Sequence, residues 1–378
     1  MKTKLTNTFL FAVLIFNAVV LHAQKDTTGT DNIWSGDLLP VTIKPYEPDS
    51  VWGSKALNVA DFIVSDSILI LLTYQKEERW KRQEDSKITL FNGASLLLVR
   101  ADQDTARLMI PDLVMGLVDH PVFGVFVETH HAFLHLDIAA NRFDEVTSKD
   151  DFDLEIAPVI GEILGYSMIS TFSADLPYMD LYLHCSAANS NTKLIHIEDK
   201  VGRDLFMSEY KYLHPKDKVV AMNYELSTGV QKEVVAAFMS GFQDKYYFEE
   251  LNNPAFTQGN QWVVFNHNAN AIIRYSFVGK ELSSSNIDYH LNKKRGKWSE
   301  EILKDNSNQT FYTTTNHNGN VELFEIATNT GEMTHVIRLY FKYVEKIKVF
   351  NGEVYYIYRP FESSQKRYLY KESIFAKP

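Results

Sequence analysis

Five positions stand out as candidates for chemistry near neutral pH, four of them histidines. His131, His135 and Asp137 alternate along one predicted strand, with Glu128 and His130 upstream, and together they offer nitrogen and oxygen donors to an ion such as zinc. The spacing argues against that use. Residues two apart on a strand lie about 6.5–7 Å from each other, and residues four apart about twice that. One strand therefore cannot bring His131 and His135 to a single ion, and neither a metal nor another cofactor is expected. His267 and His317 belong to a repeat: Asn266-His267-Asn268-Ala269-Asn270 and Asn316-His317-Asn318-Gly319-Asn320 match at four of five positions, 50 residues apart. Asn and Gly accept the left-handed backbone of tight turns, which alone accounts for the repetition. A ligand-binding role for His267 and His317, or for His131, His135 and Asp137, stands beside that structural reading.

Other reaction classes leave no trace. A serine nucleophile on a strand-to-helix turn needs Gly-x-Ser-x-Gly, and Gly53-Ser54 and Gly165-Tyr166-Ser167 lack the flanking glycine. The Ser-x-Asp-x-Gly-x-Thr-Trp box of sialidase-like propellers does not occur. Glu249-Glu250 and Glu300-Glu301 are adjacent in sequence, so on a strand their carboxylates point to opposite faces. The single cysteine, Cys185, reads as a buried small hydrophobe, and it excludes an intrachain disulfide.

The elements that position these residues are strands. The two Asn-His-Asn turns each follow a β-rich run, Trp262 to Phe265 and Phe311 to Thr314, and each precedes another strand and a Gly-containing turn. An internal repeat of 40–50 residues built from short strands is the mark of β-propeller blades. Strands are expected at Val59–Val64, Ile68–Tyr74, Leu96–Val99, Ala106–Ile110, Val122–Val127 and Ala132–Ile138, the last with strict alternation. Glu345–Phe350 and Glu353–Tyr358 flank Asn351-Gly352, the strongest short hairpin signal. Gln75 to Lys87, dense in charge, reads as a solvated loop. Residues 159–226 are the least regular. Val219–Leu226 and Glu233–Phe238, around Ser227-Thr228-Gly229, read as a hairpin, although Val234, Val235, Phe238, Met239 and Phe242 also fit a helical stripe. The preferred architecture is all-β, a six-bladed β-propeller, with seven blades as the alternative.

Residues 1–23 carry Lys2 and Lys4, an apolar run from Phe9 to Val20, and Ala23 before Gln24, which is the pattern of a secretory signal peptide. That run is too short to span a bilayer, which takes about 20 residues. Residues 24–33 form a polar, mobile leader, and residues 34–378 form one propeller domain. Pro40, Pro45 and Pro48 limit the stretch from Trp34 to Leu57 to an edge strand, such as Leu38–Ile43, that would join the last blade and close the ring. A formal charge of −10 makes nucleic acid and anionic lipid poor partners.

Tyr289-His290 followed by Trp298, the run Val344 to Val349 and the stretch Tyr355 to Pro360 with its tail to Lys371 carry a family likeness. They resemble a group of secreted proteins of Gram-negative envelopes, of the six-bladed NHL or TolB-like propeller type. The resemblance implies the fold and a secreted or periplasmic location, and it brings no catalytic motif. The expectation is a non-catalytic binding or scaffolding module, not membrane-spanning, that meets a protein or glycan partner at a propeller rim. The alternative is an envelope hydrolase or lyase using metal or carboxylates at the channel mouth.

Overall fold

The computed structural model describes residues 47–81, 87–101, 104–291, 296–360 and 366–375. The expected signal peptide, polar leader and Leu38–Ile43 edge strand lie outside them. Residues 47–378 form one compact unit.

The chain folds into successive antiparallel meanders because apolar side chains recur at the strand period between turn-forming Asn, Asp and Gly. Strand β1 (Asp49–Trp52) is followed by β2 (Asn58–Val64), β3 (Ile68–Tyr74), β4 (Lys76–Lys81), β5 (Lys87–Asn92), β6 (Ser95–Arg100) and β7 (Thr105–Met109). β2, β3, β6 and β7 pair in that order as the first sheet. The second contains β8 (Val114–His120), β9 (Gly124–Thr129), β10 (Ala132–Asp137) and β11 (Arg142–Ser148). The third contains β12 (Val159–Ile163), β13 (Tyr166–Ser170), β14 (Tyr178–Cys185) and β15 (Ser190–Glu198). β16 (Ala255–Gln258), β17 (Gln261–Asn266), β18 (Ala271–Ser276) and β19 (Glu281–Asn286) make the fourth. β20 (Lys297–Asp305), β21 (Thr310–His317), β22 (Asn320–Ile326) and β23 (Met333–Lys342) make the fifth. The sixth joins β24 (Glu345–Phe350), β25 (Glu353–Tyr358) and β26 (Tyr368–Ser373) to β1 on its outer edge. The N-terminal strand thus closes on the last sheet as anticipated, but after Pro48, where the backbone N–H groups are free to pair.

Contacts between first strands tie the sheets into a ring. Asp61 on β2 accepts from Leu117 N–H on β8 at 3.3 Å. Lys346 and Lys348 on β24 reach the same Asp61 at 3.5 and 3.6 Å. Lys304 on β20 donates to Thr257 on β16 at 3.2 Å. A Cβ at Gly161 on β12 would lie 2.9 Å from Thr257, so glycine permits that approach. His120 at the end of β8 binds the Ile156 carbonyl just before β12 at 3.0 Å. At the junction of the fifth and sixth sheets, Asp305 accepts from the Asn351 and Gly352 N–H groups at 3.1 and 3.0 Å. These hydrogen bonds, with two from the Ser307 N–H and hydroxyl, outweigh the burial that would raise the Asp305 carboxyl, and hold it low. Between the sheets the core is apolar and aromatic, with Trp262, Tyr356, Phe62, Phe265 and Phe311 fully buried.

Two expectations fail. The charged segment after Gln75 is not a loop: β4 and β5 pair from Lys76↔Asn92 to Lys81↔Lys87 and continue the β3–β6 hairpin. Leu90 and Phe91 of β5 are buried, and Phe91 pairs with Val114 of the second sheet. The region read as a hairpin around Ser227-Thr228-Gly229 is helical. Helices α1 (Lys200–Tyr212), α2 (Pro215–Thr228) and α3 (Lys232–Met239) form an insertion between the third and fourth sheets. Asp199 caps α1 by accepting from Val201 N–H, Pro215 opens α2, and Gly229 ends α2 at φ 78°. These are ordinary helix start and stop signals, so the glycine read as a hairpin turn is a helix C-cap. With this segment helical, residues 159–198 supply one sheet.

Candidate functional site

Within each sheet the start of the first strand and the turn between the second and third strands lie at the same end. Both Asn-His-Asn motifs occupy that second turn, between β17 and β18 and between β21 and β22. Each opens with the same capping bond: Asn266 Oδ1 accepts from Ala269 N–H at 2.9 Å, and Asn316 Oδ1 from Gly319 N–H at 3.0 Å. They then diverge. In the second copy His317 still pairs with Asn320, leaving a two-residue turn with Asn318 at φ 53° and Gly319 at φ 83°. In the first copy pairing ends at Asn266↔Ala271, and His267 sits inside the loop.

That one-step difference decides the fate of each imidazole. His317 is exposed at the end of β21 beside Asn318. His267 is buried, with only 8 % of its surface exposed. Its Nδ1–H donates to the Asn252 carbonyl, and its Nε2 accepts from the Tyr289 hydroxyl at 2.8 Å. His290 and Trp298 pack against it at 5.0 and 4.7 Å between ring centroids. The Tyr289-His290 and Trp298 positions that carry the sequence resemblance thus converge on the Asn-His-Asn turn. Burial, slightly opposed by the Asn252 bond, lowers the His267 imidazole to about 4, and burial lowers His290 also. Tyr289 is pushed up by burial. The cluster is neutral and fixed at pH 7, a geometry that anchors the loop ahead of β20.

Trp298 connects this anchor to a charged mouth. Its indole N–H donates to Thr313 Oγ1 at 2.7 Å, and Thr313 in turn donates to the Glu301 carbonyl at 2.8 Å. Just after Trp298 the β20–β21 register slips, up to Ile302. The first strands β2, β8, β12 and β24 carry slips near their starts as well. Such bulges re-aim side chains. Glu300 and Lys346 stand in left-handed conformations, at φ 62° and 51°, which non-glycine residues adopt at a cost. Between them opens a cleft of about 370 Å³, lined by Trp298, Glu300, Glu301, Asn316, Lys346 and Ile347. Glu301 touches water but is hemmed in by the ring, and this loss of hydration raises its carboxyl, with Lys346 and Lys348 partly opposing. Asp119, on β8, is likewise raised by burial, against Lys348. Asp61 is buried and shared by Lys346 and Lys348.

The other predicted positions serve their own strands. His135 Nδ1 pairs with Asp144 on β11 at 2.6 Å, and its ring packs on Phe126. Asp137 caps the following turn by accepting from Ala140 N–H at 2.9 Å. His131 is exposed and rests edge-on against His130 at 4.6 Å. The structure therefore does not bring His131, His135 and Asp137 together. Among the described residues no group of three or more His, Cys, Asp or Glu is placed to hold a metal ion. Cys185 differs from its expected burial: it is half-exposed at the end of β14, and the Ala188 backbone and Tyr166 hydroxyl lower its thiol.

Sequence reasoning missed the charges of the first strands. Asp61, Asp119, Glu301, Lys346 and Lys348 come from segments far apart in the chain, and only the closed ring brings them together. The one local signal is a charged residue within an otherwise apolar strand, such as Asp61 in Val59–Val64.

No family model and no curated protein matches this sequence. Among solved structures, TolB from Acinetobacter baumannii is similar over 82% of this chain and 78% of its own, at 9% identity and a TM-score of 0.35. The β-propeller domain of the Trilobed protease from Pyrococcus furiosus is similar over 86% and 100%, at 9% identity and 0.39. Regucalcin from Agrobacterium tumefaciens is similar over 80% and 85%, at 10% identity and 0.31. These values carry no argument about activity. By the order of its sheets, the contacts between their first strands and the closure of β1 on β26, the chain is a β-propeller.

Proposed function

We propose that the protein is an exported, six-bladed propeller of the cell envelope that works as a non-catalytic binding module and holds a protein partner on its helical insertion. One observation carries this reading: α2 is turned inside out. Its line Asp217, Ala221, Glu225 is buried or half-buried toward α3, with Glu225 Oε1 accepting from Lys232 N–H at 3.2 Å. Val219, Met222 and Leu226, spaced to share the outer face, are exposed, Leu226 by 83 %. Val220 and Tyr212 extend the apolar surface, Tyr212 at 80 % exposure. Contiguous exposed apolar surface on a folded protein marks an interaction site. The insertion also stands beside the Asn-His-Asn turn, across a cleft of about 440 Å³ lined by His196, Glu198, Lys200, Asn266 and Asn268. A partner seated on α2 is thereby offered polar contacts as well.

Export is supported by Lys2, Lys4, the apolar run and Ala23, and predicts that mature protein begins near Gln24. No helix among the described residues is long and apolar enough to cross a membrane. The binding claim is tested with Val219→Asp/Leu226→Asp. Both sites are solvent-exposed, so the variant should melt like the wild type. In native envelope extracts the wild type should elute as part of a larger species, and the variant alone. A wild type that elutes alone contradicts the reading.

A second reading, a hydrolase or lyase at the channel mouth, draws on the raised carboxyl of Glu301 beside Lys346 and Lys348. It predicts turnover that Glu301→Gln abolishes without changing the melting temperature.

A further inference from the structure

Three residues beyond Glu301, and about 10 Å further along β20, the first strands enclose a second cavity of about 300 Å³. Four sheets line it, with Ile63 from β2, Asp119 from β8, Lys304 and Asn306 at the end of β20, and Lys348 and Phe350 from β24. The two lysines differ in their company. Lys348 has Asp61 at 3.6 Å and the Phe62 carbonyl at 2.5 Å. Lys304, half-buried, has one hydrogen-bond partner among the described residues, the Thr257 hydroxyl, and no carboxylate within ion-pair distance. A cation withdrawn from water without a counter-ion is unfavourable. Burial indeed pushes the Lys304 ammonium down.

We propose that this cavity is a binding site for a small organic monocarboxylate, whose carboxylate pairs with Lys304 and whose apolar body lies against Ile63 and Phe350. Each part of that description follows from the walls. Lys304 supplies the missing ion pair, and the Asn306 amide can add a hydrogen bond. The volume is at the low end for ligand pockets, so it admits a metabolite-sized molecule and no polymer. Asp119 and Asp61 place carboxyls near the site, and these disfavour a second negative charge on the ligand. Inorganic phosphate and dicarboxylates are therefore expected to bind less well than a monoanion. The site is independent of the partner surface on α2, so either assignment can fail without the other.

The test uses full-length mature protein and sodium benzoate as the probe, with benzamide as its neutral counterpart, followed by ligand-observed NMR titration. Benzoate should bind saturably, benzamide at least tenfold more weakly, and inorganic phosphate more weakly than benzoate. Lys304→Met should lose benzoate binding by tenfold or more. Lys304→Arg should retain part of it, and Lys193→Met, on β15 of the third sheet, should bind as the wild type does. Without ligand, Lys304→Met should melt no lower than wild type, because an unpaired cation has been replaced by an apolar chain. If that variant does not fold, Lys304→Gln takes its place. Equal binding of benzoate and benzamide, undiminished binding in the Lys304 variants, or no saturable benzoate binding would each overturn the proposal.

Discussion

The imidazole of His267 gives the site its clearest pH signature. In the unfolded chain it titrates near 6.5, and in the fold near 4. Below pH 6.5 the unfolded state takes up a proton that the folded state refuses, so stability falls as the pH drops from about 6.5 to 4. The full difference is on the order of 3 kcal/mol. Urea unfolding should show this slope in the wild type, and His267→Gln should flatten it while lowering stability at pH 7. Asp61 makes a prediction of the other kind. Asp61→Ala leaves Lys346 and Lys348 facing each other without their carboxylate, and should cost roughly 3 kcal/mol in urea unfolding at pH 7. Asp61→Asn keeps one acceptor oxygen, enough for the Phe62 or the Leu117 N–H but not both, and should cost less than Asp61→Ala. Cys185, half-exposed with a lowered thiol, should react with a thiol reagent in the folded protein nearly as fast as in the unfolded one.

At the scale of elements, helix α2 depends on its ends. Gly229→Ala would put a Cβ at φ 78° with nothing to clash against, so the cost is backbone strain alone, roughly 1 kcal/mol. Because α2 belongs to an insertion, the loss should appear as faster amide exchange in α2 and not as a lower global melting point. The same helix shows where the sequence was legible and where it was not. Glu345–Phe350, Asn351-Gly352 and Glu353–Tyr358 were readable to the residue, because alternation and turn chemistry agree there. Val219–Leu226 was not, since a helix that turns its apolar residues outward and buries an Asp-Ala-Glu line lacks the stripe that marks a core-facing helix. Pro215 at its start and Gly229 at its end were the available signal. The equivalence of the two Asn-His-Asn turns was readable from their repetition, but their divergence was not. One register step buries His267 and exposes His317, and that step depends on the Asn252 and Tyr289 contacts supplied from outside the repeat.

For the whole molecule, closure is the central mechanical fact. β1 covers the edge of β26 through Asp49↔Lys371 and Ser50↔Tyr370, and Val59 N–H donates to the Arg367 carbonyl at 3.1 Å across the same junction. A chain beginning at Gly53 would leave β26 as an open edge, so it should melt lower and self-associate, which size-exclusion chromatography would detect. The proposed partner surface is laid onto that ring by the insertion that interrupts it. A photo-crosslinking residue at Leu226 on α2, with a control at Glu332 in the β22–β23 turn, tests this most directly in intact envelopes. A discrete protein adduct is expected from position 226 and none from 332. No adduct at 226, or the same adducts from both positions, would contradict it.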